Sequence, residues 1–153
     1  MDYTKFFARK SREVAIDLLG MTLARDTKKG FTAARILETR AYEGGRETHS
    51  RQGMKYAPGR LFLMPHRGRY LLNIATDTVD YPSCVEIRRI GLHNREVGGA
   101  SNVANLFGIT FEFDNVPLGR EVQISGESLD KSNIGELVDI VSDNCVGYFS
   151  IIN

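Results

Sequence analysis

Cysteine is scarce in this chain, and long apolar runs are missing altogether. Its 153 residues hold two cysteines, Cys84 and Cys145, far apart and outside any C-x-x-C or paired-histidine pattern. That argues against a redox motif or a zinc site, so each cysteine reads as a buried free thiol, and neither a metal nor a cofactor is expected. The N-terminal M-D-Y-T-K-F-F-A-R-K has no apolar segment of the signal-peptide kind, and no stretch approaches the about 20 apolar residues of a membrane span. The expectation is a soluble intracellular protein. Net charge is also small, +1, which argues against an indiscriminate binder of polyanions.

What is present is ordinary in amount and uneven in distribution. A content of 42% hydrophobic and 25% charged residues is that of a globular protein, and the length fits one domain spanning residues 1–153. Between residues 35 and 95 eleven lysines and arginines face six acids, a surplus of +5, whereas between 111 and 153 two face eight, a deficit of −6. Such asymmetry fits one cationic face toward a polyanion and an acidic back, or else an ordinarily solvated surface.

Ser11 followed by R-E-V-A-I-D-L-L and Gly20 predicts a helix with a serine N-cap and a glycine stop. M-T-L-A-R-D, the turn T-K-K-G and T-A-A-R-I-L-E-T-R-A-Y predict a hairpin. Residues 43 to 60 follow no period and read as a long surface loop. A second hairpin is predicted from L-F-L-M and R-Y-L-L-N-I-A-T, with Pro65 and Gly68 as its turn residues. S-C-V-E-I-R-R-I reads as a strand and G-G-A-S-N-V-A-N-L-F-G as a short helix closed by Gly108. E-V-Q-I-S, E-L-V-D-I-V-S and V-G-Y-F-S-I-I read as three more strands. The fold class expected is α+β, a curved and mostly antiparallel sheet with a few short helices.

The stretch R-I-L-E-T-R-A-Y-E-G-G-R-E-T-H-S, Arg35 to Ser50, resembles the active-site strand and loop of the alkyladenine (methylpurine) DNA glycosylases, roughly I-V-E-T-E-A-Y followed by H-S. Four further pieces resemble that family in the same order. They are A-I-D-L-L-G-M-T-L-A-R, P-G-R-L-F-L-M with the following L-L-N, C-V-E-I-R-R-I beside the family's C-V-L-I-R, and V-G-G-A-S-N-V-A-N-L-F-G-I. The resemblance implies duplex DNA containing damaged purines as the partner, engaged by a monomer without a cofactor. It also implies the chemistry: a damaged purine is extruded from the stack and its N-glycosidic bond hydrolysed. A carboxylate takes a proton from the attacking water and steadies the oxocarbenium-like sugar.

Residue by residue, the resemblance makes Tyr42 and His49 the stacking and hydrogen-bonding walls of a base pocket, with Asn73 and Arg88 lining it. Met64 falls where the family has a second aromatic wall, and Arg67, between His66 and Arg69, falls at the wedge that fills the gap in the DNA. A polarizable methionine can cover a base and a planar guanidinium can stack, so both can serve. The general-base glutamate is replaced by Arg40. A guanidinium has no acceptor and a pKa above about 12, so it cannot deprotonate water. Glu38 is the candidate substitute, on the same strand face but roughly 6.6 Å along it, with Glu43 and Glu47 as further options. Glu38 matches the family's own first glutamate, and a surface pair with Arg40 is its structural alternative. The functional readings are a glycosylase with a weakened or relocated base, a non-catalytic relative that binds damaged or unpaired nucleotides, and a domain that has drifted to another ligand. The segment between Ile90 and Val97 is short beside the family's.

Overall fold

A computed structural model describes residues 1–44, 55–81, 83–137 and 145–152. The chain opens with helix α1, Tyr3–Phe7, whose first turn is capped by the Asp2 side chain accepting from the Lys5 amide at 3.0 Å. Helix α2, Ser11–Leu18, buries Val14, Ala15 and Leu18 on one face, the i, i+4 spacing anticipated from its sequence. Its N-cap is Lys10, not Ser11, which is buried as the first helical residue.

The other end of α2 shows how completely the sequence satisfies it. An α-helix leaves its last four carbonyls without intrahelical donors. Here Ile16 O accepts from the Leu19 amide at 3.3 Å and Leu18 O from the Met21 amide at 3.1 Å. Ser128 donates its hydroxyl to Asp17 O, and Thr39 donates its hydroxyl to Ala15 O at 2.8 Å. Gly20, at φ 88°, then turns the chain into the sheet.

The strands are β1 (Thr22–Thr27), β2 (Gly30–Tyr42), β3 (Leu61–His66), β4 (Arg69–Thr76), β5 (Ser83–Gly91), β6 (Glu96–Gly98), β7 (Val122–Ser125), β8 (Ile134–Glu136) and β9 (Cys145–Ile151). Helix α3, Ala100–Leu106, lies between β6 and β7 and ends at Gly108 as expected, with φ 63°. All described pairings are antiparallel. The order is β3-β4-β5-β2-β1-β7, with β6 on β5 and the β8–β9 pair on β2. This is the α+β architecture anticipated, a curved antiparallel sheet with three short helices. No described helix is long and apolar enough to cross a membrane.

β2 is the spine. Of its thirteen residues, those from Arg35 to Tyr42 pair with β5 along one edge, and on the other edge β2 pairs with β1 up to Arg35 and with β9 from Glu38 onward. On one side of the sheet Ile36, Ala41, Ile74, Val85 and Ile87 meet α2 and Val103 of α3 in the main core. Thr39 belongs to that side too, and its hydroxyl could be buried there only because it found the orphan carbonyl of α2.

Two local expectations change, at Pro65 and at the late strand. Pro65 is not a turn residue; it pairs with Tyr70 inside β3, an edge strand, where a residue without an amide proton costs no ladder bond to a further neighbour. The turn is Arg67–Gly68, both at positive φ (50° and 78°), the two-residue geometry that matches strand twist. The late strand begins at Ile134 rather than Glu136, and residues 138–144 lie outside the described ones. The short segment after Ile90 is a tight hairpin, with Ile90 facing Val97 and Leu92 N donating to Arg95 O at 2.8 Å.

Replacing Thr39 by valine leaves the Ala15 carbonyl buried without its donor, so stability should fall by about 1–3 kcal/mol. Urea denaturation checks this: the midpoint should drop with an unchanged slope, and an unmoved midpoint would mean that the helix end does not depend on Thr39. A second outcome concerns Tyr56, which donates its hydroxyl to Asp114, a carboxylate that also receives the Leu63 amide of β3 at 2.9 Å. Burial first, then the bond to Asp114, pushes the Tyr56 phenol from 10.0 up to about 12. Its folded pKa is raised, so its contribution to stability is complete below about pH 10 and is lost as pH rises through about 12. In an absorbance titration, Tyr56→Phe should remove the phenolate signal that appears near pH 12.

Candidate active site on the sheet face

Strand residues alternate sides, so burying Thr39 and Ala41 against α2 sends Glu38, Arg40 and Tyr42 to the opposite face. Register then decides their neighbours. Arg40 stands opposite Glu86 of β5 and Tyr148 of β9; Glu86 stands opposite Asn73 of β4, and Asn73 opposite Phe62 of β3. One row, Phe62–Asn73–Glu86–Arg40–Tyr148, thus crosses five strands. The next row along β2 is Ala75–Cys84–Tyr42–Cys145.

The contacts fill in the rows. Arg40 Nη1 donates to the Tyr42 hydroxyl at 3.1 Å, and its guanidinium carbon lies 4.5 Å from the centre of the Tyr148 ring. Arg88 reaches the same ring at 5.6 Å and donates from Nη1 to Glu86 Oε1 at 2.7 Å. Both guanidinium contacts are of cation–π type. Register shifts around Glu38, between β2 and β5, bring the consecutive Arg88 and Arg89 to one cluster. Arg89 donates from Nε to Glu38 Oε2 at 2.7 Å and from Nη2 to Ser150 Oγ at 2.9 Å, and it also engages Glu96. Tyr148 donates its hydroxyl to the other oxygen of Glu38.

Electrostatics follow from that wiring. Burial pulls the Arg88 pKa down, but Glu86, by hydrogen bond and charge, and Tyr148 outweigh it, and the result is above the usual arginine value. For Arg89 the same opposition, burial against Glu38 and Glu96, also ends above the usual value. The Tyr148 phenol is raised by burial and then by Glu38, against a lowering by Arg88. Around neutral pH the cluster therefore carries charged arginines and a neutral tyrosine.

Beside the charged cluster lies a small apolar patch in which Tyr42, Tyr56 and Met64 pack on Phe62, Ala75 and Cys84. Tyr56 meets Phe62 edge to face at 5.7 Å. Asn73 is buried between the two, donating from Nδ2 to Leu71 O at 3.2 Å and accepting from the Cys84 thiol at 3.6 Å. His66, Arg67 and Arg69 stand at the exposed tip of the β3–β4 hairpin, where Arg69 Nη1 donates to Asn102 Oδ1 at 2.9 Å. His49 and Glu47 lie outside the described residues.

Among the sequence candidates, Glu38, Arg40, Tyr42, Met64, Asn73 and Arg88 thus share one face. The surface pairing of Glu38 with Arg40 gives way to a pairing with Arg89, because the β-bulge aims Arg89 at it. Three members escaped the sequence reading: Tyr148, Glu86 and Arg89. Tyr148 carried no local signal, since nothing in V-G-Y-F-S says which strand it will flank. Glu86 did carry one, a carboxylate in the middle of the apolar run C-V-E-I. Among the described residues no group of three or more histidine, cysteine or carboxylate side chains could hold a metal ion.

Residues 5–140 match the methylpurine-DNA glycosylase (MPG) family profile. Several relatives carry the name "Putative 3-methyladenine DNA glycosylase". One from Methanocella arvoryzae is 39% identical over 93 residues, 54% of this chain and 46% of its own length. One from Listeria monocytogenes is 32% identical over 148 residues, covering 85% of this chain and 70% of its own. One from Lactiplantibacillus plantarum is 28% identical over 155 residues, 88% and 74% of the two. The chain therefore spans from under half to about three quarters of the length of these relatives. With its family profile matched over most of its residues, the chain belongs to the methylpurine-DNA glycosylase family.

Proposed function

We propose that residues 1–153 form one base-excision-repair DNA glycosylase domain, which receives an alkylated or deaminated purine flipped from duplex DNA and hydrolyses its N-glycosidic bond. The observation that carries this reading is the meeting of Arg40 and Arg88, distant in sequence, on the single ring of Tyr148, with Tyr42 hydrogen-bonded to Arg40. A flipped base needs an apolar or aromatic wall and a few placed polar groups. Tyr42, Tyr56 and Met64 offer the wall, and Asn73 with Arg88 the polar edge. Arg88 Nε is buried without a hydrogen-bond partner among the described residues, a donor left over after Glu86 is served. Orphaned buried donors cost free energy, so the fold tolerates a cost to hold Arg88 at this place.

Arg88 and Arg89 are both committed to internal carboxylates, so attraction for phosphate falls to exposed cations, among them Arg67 and Arg69 at the hairpin tip. His66 stands beside them. There Arg67 would act as the wedge, its planar guanidinium stacking where the base has left. The domain works as a monomer in this reading, inside the cell, and needs no cofactor.

A second reading is favoured by Arg40 itself: a relative that binds damaged or unpaired nucleotides without turnover. A guanidinium accepts no proton and repels the developing sugar cation.

Two outcomes test the proposal. Duplex binding should weaken steeply with salt as phosphates exchange counterions for Lys and Arg, with a markedly negative slope of log K against log salt. A flat dependence, measured by fluorescence anisotropy, would remove the nucleic-acid reading. In single-turnover assays on duplex DNA bearing hypoxanthine or ethenoadenine, Arg40→Glu should raise excision, by at most the about 10² to 10⁴-fold that general-base assistance is worth. Arg40→Ala, which removes the repulsion without supplying an acceptor, should raise it less. Unchanged DNA binding with no excision by either variant would mean that the pocket no longer holds a purine.

A further inference from the structure

We propose that Glu86 is the carboxylate this site uses in place of the one Arg40 displaces, an assignment that rests on the glycosylase reading above. Among the described residues Glu86 is the only charged residue that is buried, at 2% exposure. A carboxylate is desolvated at a large cost unless paired, and a sheet face is an unfavourable place to put one without a use for it. Its position is the site's own. It faces Arg40 directly across the β2–β5 ladder and Asn73 across the β4–β5 ladder, in the middle of the row that crosses the sheet. Directly opposed side chains start about 5 Å apart, so an acid at 86 and an acid at 40 serve overlapping volumes.

The alternatives are less well placed. Glu38 is two residues along β2, about 6.6 Å, and both of its oxygens are engaged, one by Arg89 and one by Tyr148. Glu86 receives Arg88 at one oxygen. An ionised carboxylate has about four acceptor positions, so that single bond fixes the side chain while leaving capacity for water. Arg40 leans toward β9, onto the Tyr148 ring, which is the side of β2 away from Glu86.

The step balances simply. The oxygen of a water forms a bond to C1′ of the deoxyribose while the C1′–N9 bond breaks, its electron pair leaving with the purine. The Glu86 carboxylate steadies the cationic sugar until the bond forms and takes the water proton, which then passes through solvent to N9 of the departed purine and restores the carboxylate. The products are an abasic site and a free base. Arg88 is a positioning residue in this scheme, since it holds the carboxylate and not the sugar.

The test is a two-by-two comparison of Glu86→Gln in the wild-type and Arg40→Glu backgrounds, by single-turnover excision of hypoxanthine from duplex DNA. The amide is isosteric and can still accept from Arg88, and thermal melting with DNA binding reports whether each variant is folded. Wild type should excise slowly but measurably, and Glu86→Gln should lower that rate by about 100-fold or more. With Arg40→Glu supplying its own carboxylate, the same change should cost less than about 10-fold. Equal losses in both backgrounds would mark Glu86 as structural and overturn the proposal. So would loss of activity in Glu38→Gln with Glu86→Gln unaffected. Excision by Arg40→Glu but none by wild type would overturn the role of Glu86 and leave the glycosylase reading standing. No excision by any folded, DNA-binding variant would overturn both.

Discussion

The two-residue pleat of β2, locked between β5 on one edge and β1 and β9 on the other, is the constraint on which the rest depends. Ile36, Thr39 and Ala41 must face the helices to close the core, and Thr39 must reach the end of α2. Once those positions are spent, Glu38, Arg40 and Tyr42 have no choice of side. A slip of one residue would exchange the two sets, putting a guanidinium under α2 and a threonine in the site. The same ladder aligns Asn73, Glu86 and Tyr148 with Arg40. Core packing and site assembly are therefore one event.

Charge balance inside the site follows from that alignment. Arg88 and Arg89 are consecutive, and an unbroken strand would send them to opposite faces. The bulge beside Glu38 lets both turn inward, each toward its own acid. A buried pair is not a source of net stability, because desolvation offsets most of the attraction, but removing one partner leaves a charge with no compensation. The cluster is thus stiff and intolerant of change in its parts. That suits a site whose work is to hold groups still.

The basic surplus between residues 35 and 95 takes on a different meaning in three dimensions. Part of it, Arg88 and Arg89, is internal wiring. Part of it, Arg67 and Arg69, stands at an exposed hairpin tip on an edge strand pair, where the proposed function has it meet phosphate. A count along the chain sums the two as if they were alike.

The sequence by itself determined a good deal. Alternation in the β1–β2 and β3–β4 segments and the apolar face of α2 were legible because they are local, and the five ordered motifs pointed to a family that the profile match bears out. It also exposed the substitution at Arg40. Pro65 misled, since proline signals a turn and an edge strand equally well and only the sheet order separates them. What tertiary structure alone decided was partnership. Tyr148 under Arg40, Glu38 with Arg89 and Glu86 in the central row all rest on register between strands distant in the chain, β2 with β5 and β9. Local propensity fixes which face a side chain takes along its own strand, whereas the neighbour it meets is set by ladder pairing and by a bulge that no single segment encodes.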